Sequence, residues 1–369
     1  MATYIYQQPN WTDFTWQDKS INVLFGEVRL MQGKIIGQMK SLGFSVKEEA
    51  TLTALTKDIV TSSEIEGEIL PYDQVRSSIA RRLGIETAGL VPSGRHIEGI
   101  VEMMLDATQR YELPLTEQRL FGWHAALFPT GFSGPYPIET GKYRTGEMQV
   151  VSGAMGKEKI RFEAIKPEHV KTEMDRFLSW FNQDQNLDPV LKAAIAHFWF
   201  IIIHPFDDGN GRIARALTDL LLARAENSGE RFYSMSGQIL VERKQYYDVL
   251  QKVQHSTGDI TEWLIWFLQC LKNAMTATES FTISIVEKAR FWKEHEQTTL
   301  NLRQRKMINL LFDGFEGKLQ TSKWAKITKI SGDTALRDIK DLIEKGILKQ
   351  TNEGGRNVSY ELNYGPTTQ

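Results

Sequence analysis

The stretch HFWFIIIHPFDDGNGRIARAL, residues 197–217, decides how this chain is read. It runs apolar through Ile203, breaks at His204-Pro205 into a charged, glycine-broken loop, and turns helical again near Gly211. Pro205 disfavours helical geometry at His204, so a helix boundary is expected there. A plain turn needs only one or two of Gly, Asn or Asp. This one offers Asp207, Asp208, Gly209, Asn210, Gly211 and Arg212, with Arg215 following. Backbone N–H groups at a glycine-containing helix start point at an anion, and the helix dipole adds positive potential. Arg212 and Arg215 share a helical face and can reach a polyphosphate together. Asp208 repels phosphate unless a divalent cation bridges the two, which implies Mg²⁺. His204 at the loop entrance is a candidate general base. The loop is not a P-loop, because GxxxxGK[ST] is absent.

Outward from this stretch, apolar residues recur three and four apart, the signature of helices. The pattern predicts helices over 47–65, 72–83, 97–111, 167–180, 189–203, 212–225 and 261–281. The exception is TGKYRTGEMQVVSGAMGKEKIRFEAI, residues 140–165, where glycines separate two short β-type runs and a hairpin is expected. A charged helical linker follows residue 281, and then the character of the chain changes. Residues 301–369 hold 12 Lys and Arg against 8 Asp and Glu, a balance of +4 that leaves −6 for the rest of a chain whose total is −2. There TSKWAKITKIS reads as a short helix, SGDTALRDIKDLIEKG as a second with a Ser-Gly-Asp cap, and ILKQTNEGGRNVSYEL as a glycine-turned hairpin. That order is a winged helix-turn-helix.

Composition bounds the function. With 369 residues, 41% hydrophobic and 24% charged, the chain is an ordinary globular one of two or three units. A net charge of −2 argues against coating nucleic acid along the whole length. One cysteine, Cys270, excludes an intrachain disulfide framework and a multi-cysteine zinc site. The start of the chain has no signal-peptide pattern, and FWFIII falls far short of the roughly 20 residues that span a bilayer, so a cytoplasmic protein with no membrane partner is expected.

HPFDDGNGRIAR matches in full the signature H-x-F-x-[DE]-G-N-G-R-x-x-R and so resembles the Fic (filamentation induced by cAMP) family, enzymes that mostly transfer AMP from ATP onto protein hydroxyls. The resemblance implies a mainly α fold, a Fic-type helical core with a β-hairpin flap, and it assigns roles residue by residue. His204 takes the proton from a Ser, Thr or Tyr hydroxyl, and Phe206 anchors the loop. Asp208 holds Mg²⁺ against the α- and β-phosphates, while Gly209, Asn210 and Gly211 cradle the anion. Arg212 meets the β-phosphate and Arg215 the γ-phosphate. Val150 and Val151 are the candidates on a flap that registers the target segment by strand addition. In ERKQYYDVLQKV, similar to the family's base-pocket segment, Tyr246 and Tyr247 are the candidates. ATP and Mg²⁺ are the implied donor and cofactor.

SSEIEGE, residues 62–68, resembles the inhibitory motif [ST]-x-x-x-E-[GN] of the same family through Ser62, Glu66 and Gly67. A Glu66 carboxylate on Arg215 would take the place of the γ-phosphate and spoil in-line geometry. Glu64 and Glu68 are near enough to compete for that assignment. The aromatic-rich start of the chain looks like the extra segment of a subset of bacterial Fic proteins that packs around the inhibitory helix. The expected domains are therefore 1–95, an N-terminal helical segment with an inhibitory helix at about 47–67; 96–280, the catalytic core with flap 140–165 and loop 204–215; 281–300, a linker helix; and 301–369, a winged helix.

Other readings stay open. The tail suggests a DNA-binding regulator, with Thr334, Arg337 and Lys340 on its second helix and Gly354, Gly355 and Arg356 at the wing tip. The same His and Glu would serve AMP removal, and another nucleotide donor is compatible with the loop. Self-modification and a homodimer are further options. A metallohydrolase is disfavoured, because His197 and His204 find no third ligand and HExxH is missing. His197 is expected in the core.

Overall fold

The structure, a computed structural model, describes residues 4–40, 44–85, 90–152, 159–183, 186–312, 315, 317–351 and 358–363. It is mainly helical and divides into two compact units, Met1–Glu279 and Ser280–Gln369. The first opens with a 3-10 turn at Ile5–Gln7 and continues through α1 (Asp18–Lys40), α2 (Phe44–Ile65), α3 (Tyr72–Leu83), α4 (Arg95–Gln109) and α5 (Glu117–Leu127). Two antiparallel hairpins follow, β1 (Phe132–Ser133) with β2 (Tyr136–Pro137), and β3 (Gln149–Ser152) with β4 (Lys159–Glu163). Then come α6 (Pro167–Asn182), α7 (Pro189–Ile203), α8 (Asn210–Glu226), α9 (Met235–Val241), α10 (Arg243–Val253) and α11 (Thr261–Glu294), whose residues from Ser280 on fall in the second unit.

A helix that is buried all round must lie at the centre of its domain. Every residue of α7 except Pro189 and Ile201 is buried, and α8 is buried from Arg212 to Ala223. These two helices are the axis of the first unit, and the quoted loop is the turn between them. Asp188 caps α7 by accepting from the Val190 N–H, with Pro189 at the first helical position where its missing donor costs nothing. Helix α2 packs on α8 and α9, and its Leu52, Leu55, Thr56, Ile59 and Ser63 are buried at helical spacing. Buried Asp58 of α2 accepts from the Ser234 hydroxyl at 2.6 Å and the Ser236 N–H at 3.0 Å, which ties α2 to the start of α9.

In the flap, β3 and β4 pair Gln149 with Glu163 and Val150 with Phe162, then shift register before Val151 meets Ile160. Its tip lies outside the described residues. The N-terminal turn braces β4: Tyr4 and Tyr6 stack on each other and meet Phe162 edge-on, and the Tyr6 hydroxyl donates to the Glu163 carbonyl at 3.0 Å.

The second unit holds α12 (Leu302–Phe312), α13 (Thr321–Thr328), α14 (Gly332–Glu344) and the antiparallel pair β5 (Leu348–Gln350) and β6 (Tyr360–Leu362). Trp324, Ala335, Ile339, Leu342 and Leu348 form its core with Met307 and Ile308. Residues 354–356, read as a wing tip, lie outside the described residues.

Helices α3 and α7 have the predicted bounds, while α11 continues through Glu294, beyond its predicted end. Helix α1 falls within the segment 1–95 expected to be helical, where the pattern sets no bounds before residue 47; only five of its 23 residues are buried, so its apolar stripe is thin.

Candidate active site

The loop between α7 and α8 is held by its own atoms. His204 ends α7 in the left-handed region, φ 51°, and its N–H donates to the Phe200 carbonyl. Gly209 begins α8 at φ 81°, and a Cβ there would stand 2.9 Å from the Phe128 ring, so both conformation and space require glycine. Asn210 closes the loop from inside. Its Oδ1 accepts from the Phe206 N–H at 3.0 Å, and its Nδ2 donates to the Phe206 carbonyl at 2.7 Å. The Phe206 ring is fully buried and stacks on His124 with centroids 4.3 Å apart. Asp207 accepts from the Glu139 N–H, and Asp208 accepts from the Ser133 hydroxyl and the Gly209 N–H.

Buried Arg144 clasps the loop from the flap side. Its Nε donates to the His204 carbonyl at 2.7 Å, its guanidinium reaches the Gly146 and Ile165 carbonyls, and its own N–H donates to the Pro205 carbonyl. Nothing in the pattern of TGKYRTG pointed to this role.

His204 is in position to accept a proton. Burial pushes its imidazole down to about 4, with the Arg144 charge acting in the same direction and the Ile201 carbonyl, Glu66 and Asp208 opposing. The ring is therefore neutral at pH 7, the form a general base requires. Its Nδ1 lies 3.3 Å from the Ile201 carbonyl, and the tautomer with the proton on Nδ1 leaves the Nε2 lone pair available. His197 is a core residue, as read. It is fully buried between the Thr218 hydroxyl at 2.9 Å and the Tyr246 hydroxyl at 2.8 Å, and burial pushes it down to about 3.

The first two arginines of α8, Arg212 and Arg215, are committed to carboxylates that follow α2. Arg215, 2% exposed, donates to Glu66 Oε1 at 2.8 Å, and to the Ser62 hydroxyl and carbonyl at 2.8 Å each. Arg212 donates to Glu68 Oε2 at 3.0 Å, with its guanidinium 5.0 Å from the Phe128 ring centre. His96 of α4 holds the other oxygen of Glu68. Burial works to raise the Glu68 carboxyl, but the His96 hydrogen bond and the His96 and Arg212 charges hold it below its ordinary range. Glu64 is exposed on α2. Gly211 makes the Glu66 contact possible, because a Cβ there would stand 2.1 Å from Glu66 Oε1.

A cavity of about 620 Å³ opens over the loop, lined by Glu66, Val150, Phe162, His204, Asp208, Asn210 and Gly211, with Arg243, Tyr246 and Tyr247 on α10. The structure thus gathers most of the predicted residues around one space. Tyr246 is 2% exposed and Tyr247 41%, so Tyr247 presents more of its ring to a ligand. Val151 is in β3, and its side chain lies outside the described residues. Thr334, Arg337 and Lys340 belong to the other unit. Ser133, His96 and Glu68, which the sequence reading did not assign to the site, adjoin it.

The donor set fits a nucleotide-borne Mg²⁺. Among the described residues no cluster of three His, Cys, Asp or Glu side chains could cage a metal. Mg²⁺ needs no such cage where one carboxylate, here Asp208, adds to substrate phosphates and water. No helix of the described residues is long and apolar enough to cross a membrane.

Residues 114–222 match the Fic/DOC family, and residues 4–85 match a domain of unknown function, DUF4172. A Caenorhabditis elegans protein named protein adenylyltransferase fic-1 is 37% identical over 91 residues, 24% of this chain and 16% of that protein. Protein adenylyltransferase Fic of Nematostella vectensis is 24% identical over 243 residues, 62% of this chain and 50% of the relative. The chain thus spans half or less of the length of these two relatives. A Fic family protein from Desulfovibrio desulfuricans shares the fold, with a TM-score of 0.55 at 21% identity over 95% of this chain and 97% of that one.

Proposed function

From a chain that carries a Fic/DOC family domain, we propose that the protein transfers AMP from ATP onto a Ser, Thr or Tyr hydroxyl of a protein target or of itself, and that Glu66 holds it slow. The observation that carries this reading is a neutral His204 and the Asp208–Gly211 helix start on one cavity, with the α8 arginines behind them bound to carboxylates in place of phosphates. The target oxygen attacks the α-phosphorus as its proton passes to His204 Nε2. A phosphorus–oxygen ester bond forms, the α–β bond breaks, and pyrophosphate leaves. Transfer of this kind needs positioning, charge neutralisation and a base more than covalent chemistry.

Asp208 would hold Mg²⁺, which supplies charge neutralisation at the phosphates when bound. Gly209, Asn210 and Gly211 cradle the anion, and Arg212 and Arg215 take the β- and γ-phosphates once their carboxylates leave. Tyr246 and Tyr247 line the base end, and Val150 with Val151 gives the target a strand edge. Residues 1–95 act as the regulatory segment, 96–280 as the catalytic core and 301–369 as a winged helix joined by the 281–300 linker, in a protein that works in the cytoplasm.

The test is label transfer from α-labelled ATP into the protein and a lysate, in the natural sequence, Glu66→Gly, and Glu66→Gly with His204→Ala. Strong labelling in Glu66→Gly that vanishes without His204 supports transfer, base and brake together. If nucleotide binds but none of the three labels, the reading fails, and AMP removal or another donor takes its place.

A further inference from the structure

We propose that the second unit is a duplex-DNA-binding module that presents α13 and α14 as a helix-turn-helix with a basic outer surface. The three residues between the helices, Lys329 to Ser331, make the short turn this motif needs, with Lys329 in the left-handed region at φ 55°. The helices are locked by Trp324, Ala335, Ile339 and Leu342, all fully buried, so the unit presents a fixed surface. The Ser331 hydroxyl accepts from the Thr334 N–H and caps α14, whose first residues, Gly332 and Asp333, are exposed.

Charge pairing singles out this surface. Three of the unit's carboxylates are paired internally, Asp338 by Arg303 and Asn301, Asp341 by Lys345 and Gln304, and Glu361 by Lys349, while Asp333 and Glu344 at the two ends of α14 are exposed. On α13, its turn and α14, Lys326, Lys329, Arg337 and Lys340 are exposed and have no ion-pair partner among the described residues. Arg337 and Lys340 lie three apart on one face of α14, the helix that enters the major groove in this motif. A protein partner would prefer an apolar centre, but of the large apolar side chains of α14, Ile339 and Leu342 are in the core and Ile343 packs against it, which leaves Leu336 alone, half-buried, outside it. Exposed Asp333 disfavours a phosphate at that point and can accept from a cytosine amino group in the groove.

The experiment is fluorescence anisotropy of the full chain with a mixed-sequence 24-base-pair duplex, titrated at several salt concentrations. Four phosphate contacts predict that log K falls against log salt with a slope of about −3.6, and an Arg337→Glu, Lys340→Glu double variant should bind at least roughly tenfold more weakly with about half that slope. Lys19→Glu with Lys40→Glu, an equal charge change on α1, should leave binding intact. No binding at low salt, equal weakening in both double variants, or binding unaffected by Arg337→Glu, Lys340→Glu would overturn the proposal. Thermal melts of each variant check that the fold is kept, and because no nucleotide is involved the outcome is independent of AMP transfer.

Discussion

Two carboxylates on two arginines predict a graded response to nucleotide length. In a His204→Ala background, where no transfer consumes the donor, Glu66→Ala and Glu68→Ala are each expected to tighten ATP binding by releasing one guanidinium. Both carboxylates are 32% exposed, while Arg212 and Arg215 are 7% and 2% exposed. The several kcal/mol typical of breaking a buried pair must therefore be discounted toward the surface value, to about 1–2 kcal/mol for each. That corresponds to a gain of roughly 5- to 30-fold in affinity per substitution.

The nucleotide series tells the two apart. If Arg215 takes the γ-phosphate, Glu66→Ala improves ATP and leaves ADP nearly unchanged. If Arg212 takes the β-phosphate, Glu68→Ala improves ATP and ADP alike and leaves AMP unchanged. The departure of the double variant from the sum of the two gains measures the coupling between these neighbouring pairs. Isothermal titration with ATP, ADP and AMP in the presence of Mg²⁺ measures all of this. An ADP gain in Glu66→Ala equal to its ATP gain, or no gain for either nucleotide in Glu68→Ala, would refute the reasoning. General damage to the fold weakens binding, so it cannot imitate the expected result.

Asn210→Ala removes both partners of the buried Phe206 backbone and should cost about 2–4 kcal/mol, read as a lower denaturation midpoint at unchanged m-value. Arg144→Ala frees the His204 carbonyl from its donor; transfer in the Glu66→Gly protein should fall by at least roughly tenfold while ATP affinity changes little, since a small misplacement of the base costs orientation rather than binding. Burial lowers His124 to about 4, His197 to about 3 and His204 to about 4. The unfolded chain then binds more protons below about 6.5, so stability present at neutral pH is lost as pH falls, by about 2 kcal/mol from His197 alone at pH 5. Melting temperatures that stay flat from pH 7.5 to 5 would contradict that charge assignment.

Legibility followed the range of each interaction. The site loop could be read because its demands are local: a helix end before Pro205, a left-handed glycine at 209, a side chain at 210 that bonds back four residues, and cations one turn into α8. Helix α7 could be read for the same reason, since a segment apolar nearly all round has nowhere to go but the core. The Arg144 clasp joins residues 60 positions apart, and the Arg212–Glu68 pair joins residues 144 apart. Such pairs depend on how elements approach in space, which no periodicity in either segment encodes.

The choice among Glu64, Glu66 and Glu68 shows what a local reading lacked. In an unbroken helix, Glu64 and Glu68 would share one face and Glu66 would point elsewhere, so a helix carried to residue 68 could bring the first and last to α8 but not the middle one. The helix instead ends at Ile65, and Gly67 turns the chain at φ 86°. The Glu66 N–H still bonds back to the Ser63 carbonyl, and so does the Glu68 N–H. This compact turn brings Glu66 and Glu68 onto neighbouring arginines of α8 and leaves Glu64 in solvent. Gly67 therefore does more than complete a motif: a left-handed residue directly after Glu66 lets two carboxylates two positions apart engage two cations three positions apart.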